Sequence, residues 1–161
     1  MKQIVASVMA LVCALSLSAC GSNTQTQTAA YSFRGENEYF AISNGSIVLS
    51  DTEEVFDGGN LHVTQAGIFD QVTSYSATFY TKKDGAQSTL MSNSVVDQTG
   101  GTIHVEGDLG IISGDGFITG GSIASIDELK ENLWFELKTT DLHGKETAYH
   151  LRLTLTEAQS N

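Results

Sequence analysis

The chain has 161 residues, with 8 Lys and Arg against 19 Asp and Glu, a formal net charge of −11 at pH 7. That balance excludes nucleic acid as a partner, because affinity for it comes from clustered Lys and Arg displacing counterions; it equally excludes holding an anionic membrane surface through a basic patch. Both cysteines, Cys13 and Cys20, fall in the first 20 residues, so the rest of the chain must fold without a disulfide or a cysteine metal site.

The chain opens on Met1-Lys2-Gln3, with one positive side chain, and Ile4 to Leu17 carry no charge. This run is too short for a permanent membrane span, which takes roughly 20 apolar residues. Its charged start, apolar middle and small residues at the end have the layout of an export signal. The small pair Ser18-Ala19 leads directly into Cys20.

Leu17-Ser18-Ala19-Cys20 resembles the lipobox of bacterial lipoproteins. The resemblance implies removal of residues 1–19 as a signal peptide, a diacylglyceryl group on the Cys20 sulfur, and often acylation of the new amino end. It places the domain on the extracytoplasmic face of a bacterial membrane: the cell membrane, or the outer membrane of a two-membrane cell. A diacylglyceryl group anchors stably where one chain, at about 0.8 kcal/mol per buried CH₂, gives only marginal attachment. Residues 20–30 then read as the lipidated cysteine and a polar tether, Gly21-Ser-Asn-Thr-Gln-Thr-Gln-Thr-Ala-Ala30. As a flexible coil this spacer reaches on the order of 17 Å.

Residues 31–158 are long enough for one ordinary core, leaving 159–161 as a tail. The segment Phe33-Arg-Gly-Glu-Asn-Glu-Tyr-Phe40 is similar to the start of surface lipoproteins from Gram-positive gut bacteria, a likeness that implies no activity. Glu38–Ile42 and Ser46–Leu49 are β-prone runs around Asn44-Gly45, which predicts a hairpin. Asp57-Gly58-Gly59 predicts another turn. Val72–Thr81 alternates, and Lys83-Asp84-Gly85 turns it back into Ser88–Val96 through a loop of about four or five residues.

Eight of the sixteen glycines lie between Gly100 and Gly121. Their spacing predicts very short strands with tight bends, or a rim where backbone comes close to a ligand. Ser125-Ile126-Asp127-Glu128 matches a capping box, and Ile126, Leu129 and Leu133 at helical spacing predict one short helix near 125–132. Trp134–Thr140 and Thr147–Thr156 predict a hairpin. Phe135, Leu137, Tyr149, Leu151, Leu153 and Leu155 form its apolar face, with Glu136, Lys138, His150 and Arg152 on the wet side. This last hairpin is similar to that of bacterial immunoglobulin-like domains, without the Cys and Trp core markers of antibody domains.

About eight to ten short strands with closely spaced turns indicate an all-β fold, an antiparallel β-sandwich (immunoglobulin-like) or a small barrel. The chain contains no proline. One device for guarding sheet edges is therefore missing, and charged turns, helped by the acidic excess, are expected to do that work.

Chemistry-bearing patterns are sparse. No Gly-x-Ser-x-Gly elbow occurs, and His62, His104, His143 and His150 have no zinc-ligand spacing among them. Asp51, Glu53, Asp57, Asp108 and Asp115 are hard oxygen ligands in expected loops and form the calcium candidates. Trp134, Tyr80 and Phe40 are candidates for a sugar-binding platform, the alternative being that they close the core. The reading is a non-catalytic, membrane-anchored module without a cofactor, contacting an extracellular glycan or protein. A structural subunit of an envelope complex and an envelope hydrolase are the alternatives.

Overall fold

The computed structural model describes residues 29–50, 52–118 and 126–158. Among them are eleven strands and one helix. The strands are β1 (Ala29–Glu36), β2 (Phe40–Leu49), β3 (Glu54–Asp57), β4 (Asn60–Val63), β5 (Val72–Lys83), β6 (Ala86–Val96), β7 (Gly107–Asp108), β8 (Ile111–Gly114), β9 (Leu133–Asp141), β10 (Glu146–Arg152) and β11 (Thr154–Glu157). The helix, α1 (Ile126–Asn132), precedes β9.

Sheet A runs β11-β1-β2-β3-β8, with β4 beside β2 and β7 beside β4; sheet B runs β10-β9-β5-β6. All pairings are antiparallel. The two sheets pack as a sandwich and do not close into a barrel. In sheet B the last hairpin lies beside β5, which is the order C′-C-F-G of immunoglobulin sheets. Sheet A departs from that plan, since β1 to β4 are consecutive in it and β11 returns to it after β10.

The core is aromatic. Phe33, Phe56, Phe79 and Phe135 are 2 % exposed or less, with Phe79 touching each of the other three at ring separations of 4.9 to 5.7 Å. The chain of rings continues through Phe40 to Tyr149 and then Phe69. Such pairs add about 0.5–1.5 kcal/mol each beyond the area they bury.

Three expectations about turns are corrected. Asn44-Gly45 does not reverse the chain, because β2 passes straight through it. Phe33 pairs with Gly45 and Gly35 with Ile42, so β2 carries one extra residue there, a bulge with Asn44 at φ 60°. Asp57-Gly58-Gly59 is likewise a bend: β3 pairs with the second half of β2 and β4 with the first half. Leu109-Gly110 breaks β7 from β8 at the same level, where Gly58 N–H donates to Gly110 and Leu109 N–H to Gly59. Three neighbouring rows of sheet A therefore fold along one crease. Packing dictates glycine there: a Cβ on Gly45 would sit 2.1 Å from the Phe33 ring, and one on Gly59 2.2 Å from the Ser43 carbonyl oxygen.

The third correction is to the β5–β6 loop, which has two residues instead of four or five. Asp84 (φ 50°) and Gly85 (φ 81°) form it, both left-handed as a type I′ turn requires. The C-terminal hairpin also ends sooner than its alternation suggests. β10 stops at Arg152, Leu153 donates to the Leu133 carbonyl, and β11 crosses to pair with β1 in sheet A. Its predicted apolar face is otherwise as expected, with Phe135, Leu137, Leu151 and Leu153 buried and Lys138, His150 and Arg152 exposed. Helix α1 lies where predicted, although Ser125 is outside the described residues. β1 starts at Ala29, two residues inside the expected tether, and Ala30 accepts a hydrogen bond from Ala158 N–H.

Candidate functional site

At the end of the sandwich where β4 stops and β5 starts, the loop 64–71 stands between two depressions. The larger, about 520 Å³, has Val63, Phe69, Ile103 and Val105 as apolar wall, with Asp70, His104 and Glu106 bringing charge. The second, about 350 Å³, is lined by Thr139, Asp141, Lys145, Thr147 and Tyr149. Gly67 and Asp70 border both. Phe69 on one side and Tyr149 on the other touch at 5.4 Å, so the aromatic core continues up to the groove floor.

Each wall is held by specific hydrogen bonds. The far wall is an extended segment whose Ile103 N–H donates to the Val72 carbonyl. Glu106 fixes it against β4: one carboxylate oxygen accepts Val63 N–H at 2.8 Å and the other lies 2.9 Å from His104 Nε2. The Val63 N–H, and then the His104 ring, hold the Glu106 carboxyl below its usual range. At the second depression, Asp141 accepts N–H groups from His143 and Lys145. Those two bonds, Lys145 first, hold its carboxyl low as well.

The residues singled out in the sequence are scattered. Phe40 and Tyr80 are 0 % exposed, so neither ring can serve as an open platform. Tyr80 lies beneath the wet face of sheet B, its hydroxyl 3.3 Å from His150 Nδ1. Trp134 is half-buried, and Lys82 Nζ already lies 4.6 Å from its ring centre. Cys20 and Asp51 fall outside the described residues. Glu53 and Asp115 are exposed. Asp57 and Asp108 each spend a carboxylate oxygen on their own bend, accepting Gly59 N–H at 2.8 Å and Gly110 N–H at 2.6 Å. Among the described residues no group of three or more His, Cys, Asp and Glu side chains is placed to hold a metal ion.

Of the histidines, His62 and His150 lie in strands and His104 in the irregular wall segment. The groove residues Asp70, Ile103 and Glu106 were not legible as a site. The one signal was the Gly100–Gly121 stretch, whose glycines suit a ligand-approach rim, and the far wall lies within it. No helix among the described residues is long and apolar enough to cross a membrane. Comparison with family models, curated proteins and solved structures yields no match to this chain, so the chemistry of the groove rests on its own residues.

Proposed function

We propose that the protein is a lipid-anchored extracytoplasmic module that binds a glycan or protein segment in the groove beside loop 64–71. The observation that carries this reading is the position of the groove relative to Ala29, where β1 begins. β2 has Phe40 beside Val63 at the groove and Leu49 beside Ala29 at its other end. Ten strand residues separate them by roughly 30 Å at about 3.3 Å each. A chain tethered through Cys20 thus presents its groove away from the membrane.

The groove's own chemistry favours binding over catalysis. Asp70 and Glu106 both border it, and a paired-carboxylate hydrolase would use one as a proton donor with a raised pKa. Glu106 instead has both oxygens engaged and its carboxyl held low. That arrangement fixes a wall. The apolar strip of Val63, Phe69 and Ile103 beside charged groups suits a ligand with one apolar face.

Two experiments test this. Labelled palmitate should enter the wild-type chain but not Cys20→Ser, which should be released or left unprocessed; unchanged labelling and retention would refute the anchor. On a glycan and peptide array, Ile103→Asp should lose the ligands that the wild-type chain retains. Ligands held equally by both proteins would place binding elsewhere.

A further inference from the structure

The four sheet edges differ in how they are protected. β10 carries Glu146, His150 and Arg152; β11 and β8 have four residues each, and β11 ends on Glu157. β6 is different. It runs eleven residues, Ala-Gln-Ser-Thr-Leu-Met-Ser-Asn-Ser-Val-Val, without one ionisable side chain, proline or glycine. Its sole strand partner among the described residues is β5, so every second N–H and C=O along its other side is left without a ladder. The charged turns expected to guard the edges of this proline-free chain flank this strand, with Asp84 before it and Asp97 after it, and leave its length uncharged.

A bulge at Leu90, marked by the register shift between Phe79 and Tyr80, divides the edge. The longer piece, Met91–Val96, keeps one unshifted register with β5 and ends on Val96, 64 % exposed and the most exposed large apolar side chain described. Ser92, Asn93 and Ser94 are all exposed. On the outer face, Ser92 already shares a hydrogen bond with Thr78 on β5, 3.0 Å between hydroxyl oxygens.

We infer that Met91–Val96 pairs with the same stretch of a second copy, antiparallel about a two-fold axis, joining two B sheets into one of eight strands. Charge selects this occupant. Two chains of net charge −11 repel, and like charges set opposite each other across strands destabilise pairing. Self-pairing through β6 places uncharged side chains opposite uncharged ones in every register. A foreign strand drawn by the acidity of this protein would be basic, and β6 offers nothing for its lysines or arginines to meet. Antiparallel pairing of identical strands is also self-complementary, as a closed two-fold interface must be. The inference is independent of the groove and of the lipid.

Native mass spectrometry of the processed chain purified from cells, over a concentration series, tests it. The expected result is a dimer that dissociates on dilution. Amide exchange on the wild-type chain should show alternate β6 amides slowing with concentration, a readout that needs no variant. Ser92→Lys with Ser94→Lys, both exposed positions, should give a folded monomer with the circular dichroism spectrum of the wild type, whereas Ala148→Lys on the β10 edge should leave the dimer intact. A monomer at every concentration overturns the proposal. So does a dimer that survives the β6 lysines, or a photo-crosslinker at Ser94 that captures a different protein.

Discussion

The two sheets solve the same packing problem with different sequence grammar. Sheet B is made of longer strands, and on β9 the alternation runs without a bulge: Leu133, Phe135, Leu137 and Thr139 are buried while Lys138 is exposed. Sheet A covers the same core with short pieces folded along the Gly45, Gly58–Gly59 and Gly110 crease. The difference shows that glycine carries two meanings. In sheet B, Gly85 makes a reversal in open space; in sheet A, Gly45 makes room for the ring beneath it.

The largest expected effect breaks both sheets together. Phe79 is the ring on which the layers meet, 0 % exposed and in contact with Phe33 and Phe56 from sheet A and Phe135 from sheet B. Phe79→Ala should lower unfolding free energy by about 3–5 kcal/mol, measured by urea titration with circular dichroism. A loss under half of that would mean that the crease collapses into the cavity, and that sheet A is softer than its packing implies.

The contrast in glycines is sharpened by one substitution in each sheet. Gly45→Ala forces a Cβ into the Phe33 ring, and overpacking of this kind costs about 1–3 kcal/mol or more. Gly85→Ala has nothing within 4 Å of its added carbon. It bears only left-handed strain, about 1–2 kcal/mol, offset in part by about 0.4–1 kcal/mol from a stiffer unfolded chain. Gly45→Ala should therefore melt well below Gly85→Ala. Equal melting points would remove the steric account of the crease.

Local pattern and long-range packing differ in how far the sequence reveals them. The faces of β5, β9 and β10 and the position of α1 were legible because alternation and helical spacing are local properties. The crease was not. Asn44-Gly45 has the composition of a hairpin turn, and only pairing with β1, β3 and β4 carries the chain straight on. Similarly, the alternation from Thr147 to Thr156 runs through Leu153 without a break in pattern, yet the chain changes sheets there. The groove was least legible, since Val63, Asp70 and Glu106 come together through loops that no periodicity describes. Its far wall had only an excess of glycine to mark it.

The smallest effect distinguishes how loops are closed at the groove end. Sheet B uses ionised carboxylates there. Asp97 after β6 is held low by the Thr99 hydroxyl and then Gly101 N–H, and Asp141 at the end of β9 by Lys145 N–H and then His143 N–H. A carboxyl whose folded pKa lies below its unfolded value, about 3.9 for Asp, binds more protons when unfolded. Stability therefore rises with pH through that window: the contribution is whole above the unfolded value and is lost as pH falls through the folded ones. Asp97→Asn with Asp141→Asn keeps an oxygen for the same N–H groups and removes the titration. Urea midpoints measured between about pH 6 and pH 3 should slope less steeply in the double variant than in the wild type. Because both side chains are at the surface, the change should be smaller than that from either glycine substitution. An unaltered slope would mean that these loops are closed by backbone geometry alone, and that the acid limb belongs to carboxylates elsewhere, with Glu106 on the groove wall as the next to replace.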